Sequence, residues 1–545
     1  MRNGERFFVV TLLIFAAALR ILGITFGEPD PLFTPTDTAR GTIHENVAVH
    51  PDEHLFVARP LRMVVTGQLN PKFFHNPSLL NNLNFFTFLV SDAGRGMSLE
   101  GWEGINERRH TPFPLYVISR AYSAFGGLLA VAAVYATARL VGGRGAALAA
   151  GLLTAVAFPL VQHAHYSTTS SLAAGFSAAA IWASTAALYH PQKQWMLVAA
   201  GAAVGLAAGS RYNAAAVVLF VGAAAGVLML RQPTRRSILV AVLAMLAVPV
   251  LFIATTPWVL FDTEFFLSEF SYIYRQYALG EGMGFTTSSG VLYEYRYLAL
   301  FGMGIPAFIM VGLGIWVSWR QRKPVVSHNS TWLITLLLLV YLIPYSLVVL
   351  NTARPSHSDQ LLVPVIPAFA LWAGIAIAYV RQFLKRPALH ALLVTAVIAI
   401  PLSLSVQLVR LLSQTDTRYI MQAWIEQHVP HGTRIHLDGP YNVPLDDAHY
   451  RWSQSFAGDL PSLDALIDEG VEYVVVSDSW YHEVQYSDIV AEADKAMIRD
   501  HLADYEARLE WVATIERPVW WGRDGFMVTA SAWHHPSLIL YRVSS

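Results

Sequence analysis

The sequence predicts a polytopic α-helical membrane protein of about eleven transmembrane helices with a C-terminal extracytoplasmic α/β domain. Three observations point there. Hydrophobic residues make up 54% of the 545 positions and charged residues 14%, against about a quarter charged in soluble chains. Long apolar stretches recur as far as Leu412, and past Gln414 charge returns together with short helix-like and strand-like patterns. A net charge of -1 without a long basic run excludes a nucleic-acid partner, and the absence of cysteine excludes disulfides and thiolate metal sites.

Apolar stretches near bilayer length fall at 7–26, 113–138, 146–162, 169–189, 195–209, 212–230, 237–257, 298–319, 331–350, 360–380 and 388–411. The first follows a basic flank (Arg2, Arg6) and runs into Arg20 with no small-residue cleavage site, as a retained anchor does. Basic residues gather on alternate connections: Arg2/Arg6, Arg139/Arg144, Lys193, Arg231/Arg235/Arg236, Arg320/Arg322/Lys323 and Arg381/Lys385/Arg386. The positive-inside rule assigns these to the cytoplasm. The N-terminus is then cytoplasmic in a multi-pass cell-membrane protein. The opposite face receives the 27–110 loop, the segment from Pro257 to Tyr297, the turn Asn351–Asp359 and the C-terminal domain.

A division follows: a membrane domain at 1–412, including the outer loop 27–110, and an α/β domain at 413–545. Within the latter, Thr417–Val429 and Ser462–Glu469 predict helices, the second opened by Ser462 and stopped by Gly470. Arg434–Asp438, Glu472–Ser477, Leu509–Glu516 and Ser537–Val543 predict strands. In the outer loop, Leu55–Val65 and Leu79–Leu89 are amphipathic and predict interfacial helices. Small residues in Ala199–Ala208 suit close helix packing.

The outer loop concentrates the chemistry. His50-Pro51-Asp52-Glu53-His54 sets two adjacent carboxylates directly after the first apolar segment, and Arg59, Arg62, Lys72, Arg108 and Arg109 supply the charge an anionic ligand needs. Further polar clusters sit at expected outer ends of spans: Gln162-His163-Ala164-His165-Tyr166, Gly209-Ser210-Arg211-Tyr212-Asn213 and Asp359-Gln360-Leu361-Leu362-Val363-Pro364.

This order of motifs resembles the dolichyl-phosphate-mannose protein mannosyltransferase type of GT-C glycosyltransferase (glycosyltransferase family 39-like), whose bacterial and archaeal relatives use lipid-carrier sugar donors. The chain departs from it after Tyr166, where many relatives carry an acidic residue and this sequence reads Ser167-Thr168-Thr169-Ser170. The resemblance implies transfer of mannose or another hexose from a polyprenyl-phosphate donor to an extracytoplasmic protein, lipid or glycan acceptor, with inversion. Such a transfer needs a base for the acceptor hydroxyl. Asp52 is the candidate, with Glu53 orienting the acceptor or pairing with a basic neighbour. The alternative makes the two carboxylates a helix cap.

The leaving phosphate needs cations, for which Arg354, Arg20, Arg211 and Arg59 are the candidates. Arg20 also reads as a snorkelling residue, Arg211 as an interfacial anchor and Arg59 as a solvated helix residue. His50, His54, His163, His165 and Asp359 are candidate acceptor or donor contacts. His44, Glu45, His50, Asp52, Glu53, His54 and His75, joined by His163 and His165, are the residues available to a divalent metal. Their spacing matches no recognised metal motif, so no obligatory cofactor is expected. The aromatics Tyr272, Tyr274, Tyr277, Phe285, Tyr293 and Tyr295 read either as a cover for sugar rings or as an interfacial belt. A transporter or flippase of lipid-linked sugars is the alternative function. It predicts acids at mid-membrane and related halves, neither of which the sequence shows.

Overall fold

The computed structural model describes residues 3–28, 50, 52–91, 112–276, 290–321, 330–351, 359–439, 442–455, 460–478, 481, 484–485, 490–520 and 535–543. All eleven apolar stretches are helical. Among the described residues six helices are long and apolar enough to cross a membrane, or eight when each of two bent pairs is one span. The other three are α1 (Asn3–Ile21) and two shorter apolar helices, Met196–Ser210 and Ile366–Arg381.

The site is framed by α2 (Glu53–Thr66), α3 (Leu79–Val90), α4 (Phe113–Val141), α5 (Gly143–Val156), α6 (Phe158–His165), α7 (Ser170–Tyr189) and α8 (Met196–Ser210). The helices α2 and α3 match the two amphipathic stretches. Their apolar faces turn inward: Val57, Leu61 and Phe88 are buried against Phe113, Leu115 and Tyr116 of α4. Small residues let the membrane helices close on one another. A Cβ at Gly126 in α4 would stand 2.6 Å from the Ser171 backbone of α7, so only glycine permits this crossing. In α8, a Cβ at Gly205 would stand 2.6 Å from the carbonyl oxygen of Val248.

Helices α5 and α6 meet at a 50° bend at Ala157, one residue before Phe158-Pro159, where proline suits a helix start. The bend leaves carbonyls of α5 without helical partners. Arg20 fills that need: its guanidinium is fully buried and donates to the carbonyls of Ala16 (3.0 Å), Ala155 (3.1 Å) and Thr154 (3.3 Å).

Past Ser413 the chain forms α9 (Thr417–His428), α10 (Leu463–Asp468), α11 (Glu492–Arg508) and a five-stranded sheet. Its strands are β1 (Arg434–Asp438), β2 (Arg451–Gln454), β3 (Tyr473–Ser477), β4 (Glu510–Ile515) and β5 (Leu538–Arg542), in the order β2-β1-β3-β5-β4. The strands β2, β1 and β3 are parallel, and β5 runs antiparallel to both β3 and β4. Alternation along β1 and β3 builds two cores. Ile435, Leu437 and Val475 pack with Met421 and Ile425 of α9, whereas Val474 and Val476 pack with Leu463 and Leu466 of α10 and Ile498 and Tyr505 of α11. The four expected strands are present to within a residue at each end. Sequence periodicity missed β2, a polar edge strand, and α11, which is charged around much of its circumference.

Asp438 closes β1. It is buried and accepts hydrogen bonds from His501 Nε2 (2.7 Å), Ser455 Oγ (2.7 Å) and Tyr481 Oη. Burial pushes this carboxyl up, but the bonds from His501 and Tyr481 outweigh it and hold the pKa below the ordinary carboxylate value. A depressed pKa contributes stability that is present above the unfolded value, about 3.9, and lost as pH falls through the folded one. Protection of the 435–438 amides, corrected for intrinsic exchange, is therefore expected to fall below about pH 4 in the wild type. Asp438→Asn is expected to be weakly protected already at neutral pH and to lose this dependence, as hydrogen exchange of the full chain in detergent will show.

Candidate active site

Helix α2 starts at the carboxylate pair, and the two carboxylates part ways. Asp52 occupies the N-cap position, yet its side chain makes no capping hydrogen bond and is partly exposed. The helix-cap reading of Asp52 is therefore not what the structure shows. Glu53 is fully buried and saturated: Oε1 accepts from Arg120 Nε (2.7 Å) and the Ser167 amide (2.6 Å), and Oε2 accepts from Arg120 Nη2 (2.8 Å) and the His50 amide (3.0 Å). Glu53 thus has no lone pair left for an acceptor. It pairs with a basic neighbour, which was one of the two roles expected of it.

Arg120 extends the junction. Its Nη1 donates to the carbonyls of Ile24 and Phe26, both at 2.8 Å, and its guanidinium lies 3.6 Å from the centre of the Phe26 ring. One buried ion pair therefore joins the end of α1, the start of α2, the middle of the first turns of α4 and the connection between α6 and α7. Sequence reasoning missed Arg120. The signal was there, since an arginine inside an apolar span needs a partner.

His50 is fixed on two sides. Its Nδ1 accepts the Asp52 amide (3.2 Å), and its ring stacks on Tyr166 at 4.4 Å, with His163 edge-on to the same Tyr166 at 5.9 Å. Burial depresses the His50 pKa, against the pull of Asp52 and Glu53. This agrees with a neutral ring that carries its proton on Nε2. Of the expected contacts, His50 and His163 thus converge near Asp52, while His54 follows on the first turn of α2, partly exposed.

His165 goes elsewhere. Its Nδ1 and Nε2 lie 2.8 Å from the Val161 carbonyl and 2.9 Å from that of Leu22, tying α6 to the end of α1. Two of the expected site residues, Arg20 and His165, are thus consumed by backbone carbonyls inside the membrane domain. The carbonyls left open by the bend and by the end of α1 explain why polar side chains stand there.

Arg211 behaves differently from both. It is 7% exposed and its Nη1 donates to Ser170 Oγ (2.9 Å) and to Gln360 Oε1 (2.7 Å). Among the described residues it has no carboxylate partner. The turn Asp359–Leu361 is present, which brings Asp359 into this neighbourhood by backbone. Arg59 lies partly exposed on α2. Arg354, His44, Glu45, Arg108 and Arg109 lie outside the described residues, and among those described no three His, Asp or Glu side chains group as metal ligands.

The two halves of the site meet on one short connection. Between α6 and α7, Tyr166 carries the His50 stack, the Ser167 amide binds Glu53, and the Ser170 hydroxyl binds Arg211. Three residue steps reach at most about 11 Å even when fully extended. The carboxylate loop and the buried cation are therefore held by the same connection. Beyond Arg211, Asn213 Nδ2 donates to Tyr345 Oη (2.7 Å), which donates to the Leu361 carbonyl (2.5 Å). The next residue, Ser346, lines an apolar cavity of about 490 Å³ with Tyr295, Phe308, Leu339, Leu342 and Phe369.

Glu53→Gln is expected to lower stability by about 3–5 kcal/mol, because it leaves the Arg120 charge buried and unpaired. Asp52→Asn is expected to change it by about 0.5 kcal/mol or less, since its carboxylate makes no cap. Denaturant unfolding of both variants in the same detergent checks the contrast.

Residues 117–261 match the family described as dolichyl-phosphate-mannose-protein mannosyltransferase. No curated protein matches the sequence significantly. Among solved structures, the Archaeoglobus fulgidus oligosaccharyltransferase in its apo form is 12% identical with a TM-score of 0.49, covering 96% of this chain and 75% of its own. ArnT from Cupriavidus metallidurans bound to undecaprenyl phosphate is 14% identical with a TM-score of 0.45, covering 99% and 98%. The S. cerevisiae protein O-mannosyltransferase Pmt1-Pmt2 complex bound to the sugar donor is 21% identical with a TM-score of 0.29, covering 54% and 37%. These likenesses are too loose to assign chemistry. The matched segment 117–261 holds Arg120, His163, Ser167, Ser170 and Arg211, and it is this part of the chain that is similar to the dolichyl-phosphate-mannose-protein mannosyltransferase family.

Proposed function

We propose that this protein is a membrane glycosyltransferase that transfers mannose or another hexose from a polyprenyl-phosphate donor to an extracytoplasmic protein, lipid or glycan acceptor. The observation that carries this reading is the Tyr166–Ser170 connection, which binds Glu53, the neighbour of the uncapped Asp52, and also binds Arg211, a buried cation with no carboxylate partner among the described residues. A buried guanidinium with no counter-ion is costly unless an anion binds there, and a lipid phosphate at the membrane surface is such an anion. The apolar cavity beside Ser346 suits an isoprenoid tail, because its walls are almost wholly hydrocarbon. Arg354, beside the Asp359 turn in sequence, is a further candidate for the phosphate.

In the transfer, the acceptor hydroxyl oxygen attacks the anomeric carbon while the bond from that carbon to the phosphate oxygen breaks. The electron pair leaves with polyprenyl phosphate, and the hydroxyl proton passes to the Asp52 carboxylate. A single displacement inverts the anomeric centre. Arg211 stabilises the charge that grows on the leaving phosphate. Glu53 holds the loop rather than the substrate, and His50 and His163 border the acceptor side through Tyr166. The active site faces the extracytoplasmic side, because the basic connections lie on the other face.

A short-chain polyprenyl-phosphate hexose in detergent tests the reading, since a flippase has no bilayer to work across. Release of polyprenyl phosphate with glycosylated acceptor is expected; donor that stays intact in detergent and merely crosses sealed vesicles would establish the transporter instead. Asp52→Asn is expected to lower turnover on the order of 100-fold. Arg211→Ala is expected to weaken donor use more than Arg211→Lys does. Orientation is open to a cysteine-labelling test, since the chain has no cysteine of its own. Cysteines replacing the exposed Gln68 and Glu469 are expected to react with an impermeant reagent in intact cells. A cysteine replacing the exposed Gln382 is expected to react only after permeabilisation, and the reverse pattern would invert the protein.

A further inference from the structure

The turn between α2 and α3 is clamped by the outer segment that follows the long helix Arg235–Thr255. Trp258 Nε1 donates to the Leu69 carbonyl (3.0 Å), and Asp262 receives Asn70 Nδ2 and Lys72 Nζ, both at 2.6 Å. Phe74 packs against Phe265 and Phe266 at 5.9 and 5.8 Å. These contacts seat the helix Thr263–Tyr274 against the catalytic loop.

From that docking an aromatic ladder runs outward from the start of α2. Phe56, four residues after Asp52 and so one turn along the same helix face, packs edge-on to Phe73 at 5.7 Å. Phe73 lies 5.1 Å from the ring of His75, and His75 stacks on Tyr272 at 5.1 Å and 21°. Phe56 and Phe73 are buried, whereas Tyr272 is 48% exposed. Glu269, one turn before Tyr272, has its Oε2 3.1 Å from His75 Nε2. The ladder therefore ends in a half-exposed aromatic ring flanked by a carboxylate of the same helix and by His75, which comes from the loop that carries Asp52.

An aromatic face beside hydrogen-bonding oxygens and nitrogens matches the two surfaces of a pyranose: a patch of C–H groups and a rim of hydroxyls. Packing alone would account for the buried Phe56 and Phe73. It does not account for Glu269, whose charge is held beside Tyr272 by the His75 pair at a part-exposed position.

We propose that Tyr272, Glu269 and His75 form a pyranose-recognition subsite, in which the ring stacks on Tyr272 and its hydroxyls donate to the Glu269 carboxylate. The proposal rests on the glycosyltransferase reading for the origin of the sugar, but it is tested by binding alone. The same chemistry fits the hexose of the donor or a sugar unit of a glycan acceptor.

Saturation-transfer NMR with a panel of methyl hexosides, applied to the full-length protein in detergent, is the test. At least one hexoside is expected to receive saturation from the wild type. Tyr272→Ala is expected to weaken its binding about tenfold, which corresponds to about 1.4 kcal/mol, and Tyr272→Phe is expected to retain it. Glu269→Gln is expected to weaken it, and because the readout is binding and not turnover, failure of the catalytic assignment does not touch this result. Competition by a short-chain polyprenyl-phosphate hexose assigns the subsite to the donor, and persistence of the signal assigns it to the acceptor. No transfer to any hexoside in the wild type, or equal transfer in folded Tyr272→Ala, overturns the proposal.

Discussion

The buried ion pair between Glu53 and Arg120 is the constraint on which the site depends. Four donors converge on one carboxylate and four donated bonds leave or reach one guanidinium's neighbourhood, with neither group exposed to solvent. Removing a charge from water is expensive, and attraction in a low-dielectric interior offsets it only when every lone pair and proton is used. Four bonds reach the carboxylate and four of the five guanidinium N–H groups are used, with backbone drawn from three places: Ile24 and Phe26, His50, and Ser167. The loop that holds the carboxylate pair is thereby anchored at Glu53, and Asp52 is carried as the adjacent residue, whose side chain makes no capping bond.

The same logic separates the polar residues of the membrane domain into those spent on backbone carbonyls and those that face neutral side chains. Arg20 and His165 face backbone carbonyls left open by a helix bend and a helix end. Arg211 faces a serine hydroxyl and a glutamine oxygen, neither of which carries charge. The serines of the Tyr166–Ser170 connection make this division workable. The Ser167 amide serves Glu53 and the Ser170 hydroxyl serves Arg211, so the non-helical connection is tied to protein on both sides.

Much of the fold was legible in the sequence because bilayer-length apolar runs and two-residue alternation are strong local signals. The amphipathic helices α2 and α3 were visible for the same reason, with their apolar faces packed on α4, as was the Ser462 cap of α10. The edge strand β2 was not, since Arg451-Trp452-Ser453-Gln454 has no buried face to impose a pattern. At the site, Asp52, Glu53 and Arg211 were identifiable by residue type and place. Their division of labour was not, because it depends on Arg120, which lies 67 positions from Glu53, and on the bend that claims Arg20. The Tyr272–Glu269–His75 group was equally out of reach of local pattern, since it joins two outer segments far apart in the chain.

Glu53 and Arg120 are expected to act as one unit that holds Asp52, rather than as independent contributors to transfer. A double-mutant cycle of Glu53→Gln, Arg120→Met and their combination, read as turnover of a polyprenyl-phosphate hexose in detergent, tests it most directly. Strong non-additivity is expected, with the double variant no worse than either single one, because the second substitution removes the charge that the first left unpaired. Losses that simply multiply would contradict it and would give Glu53 a separate part in the chemistry.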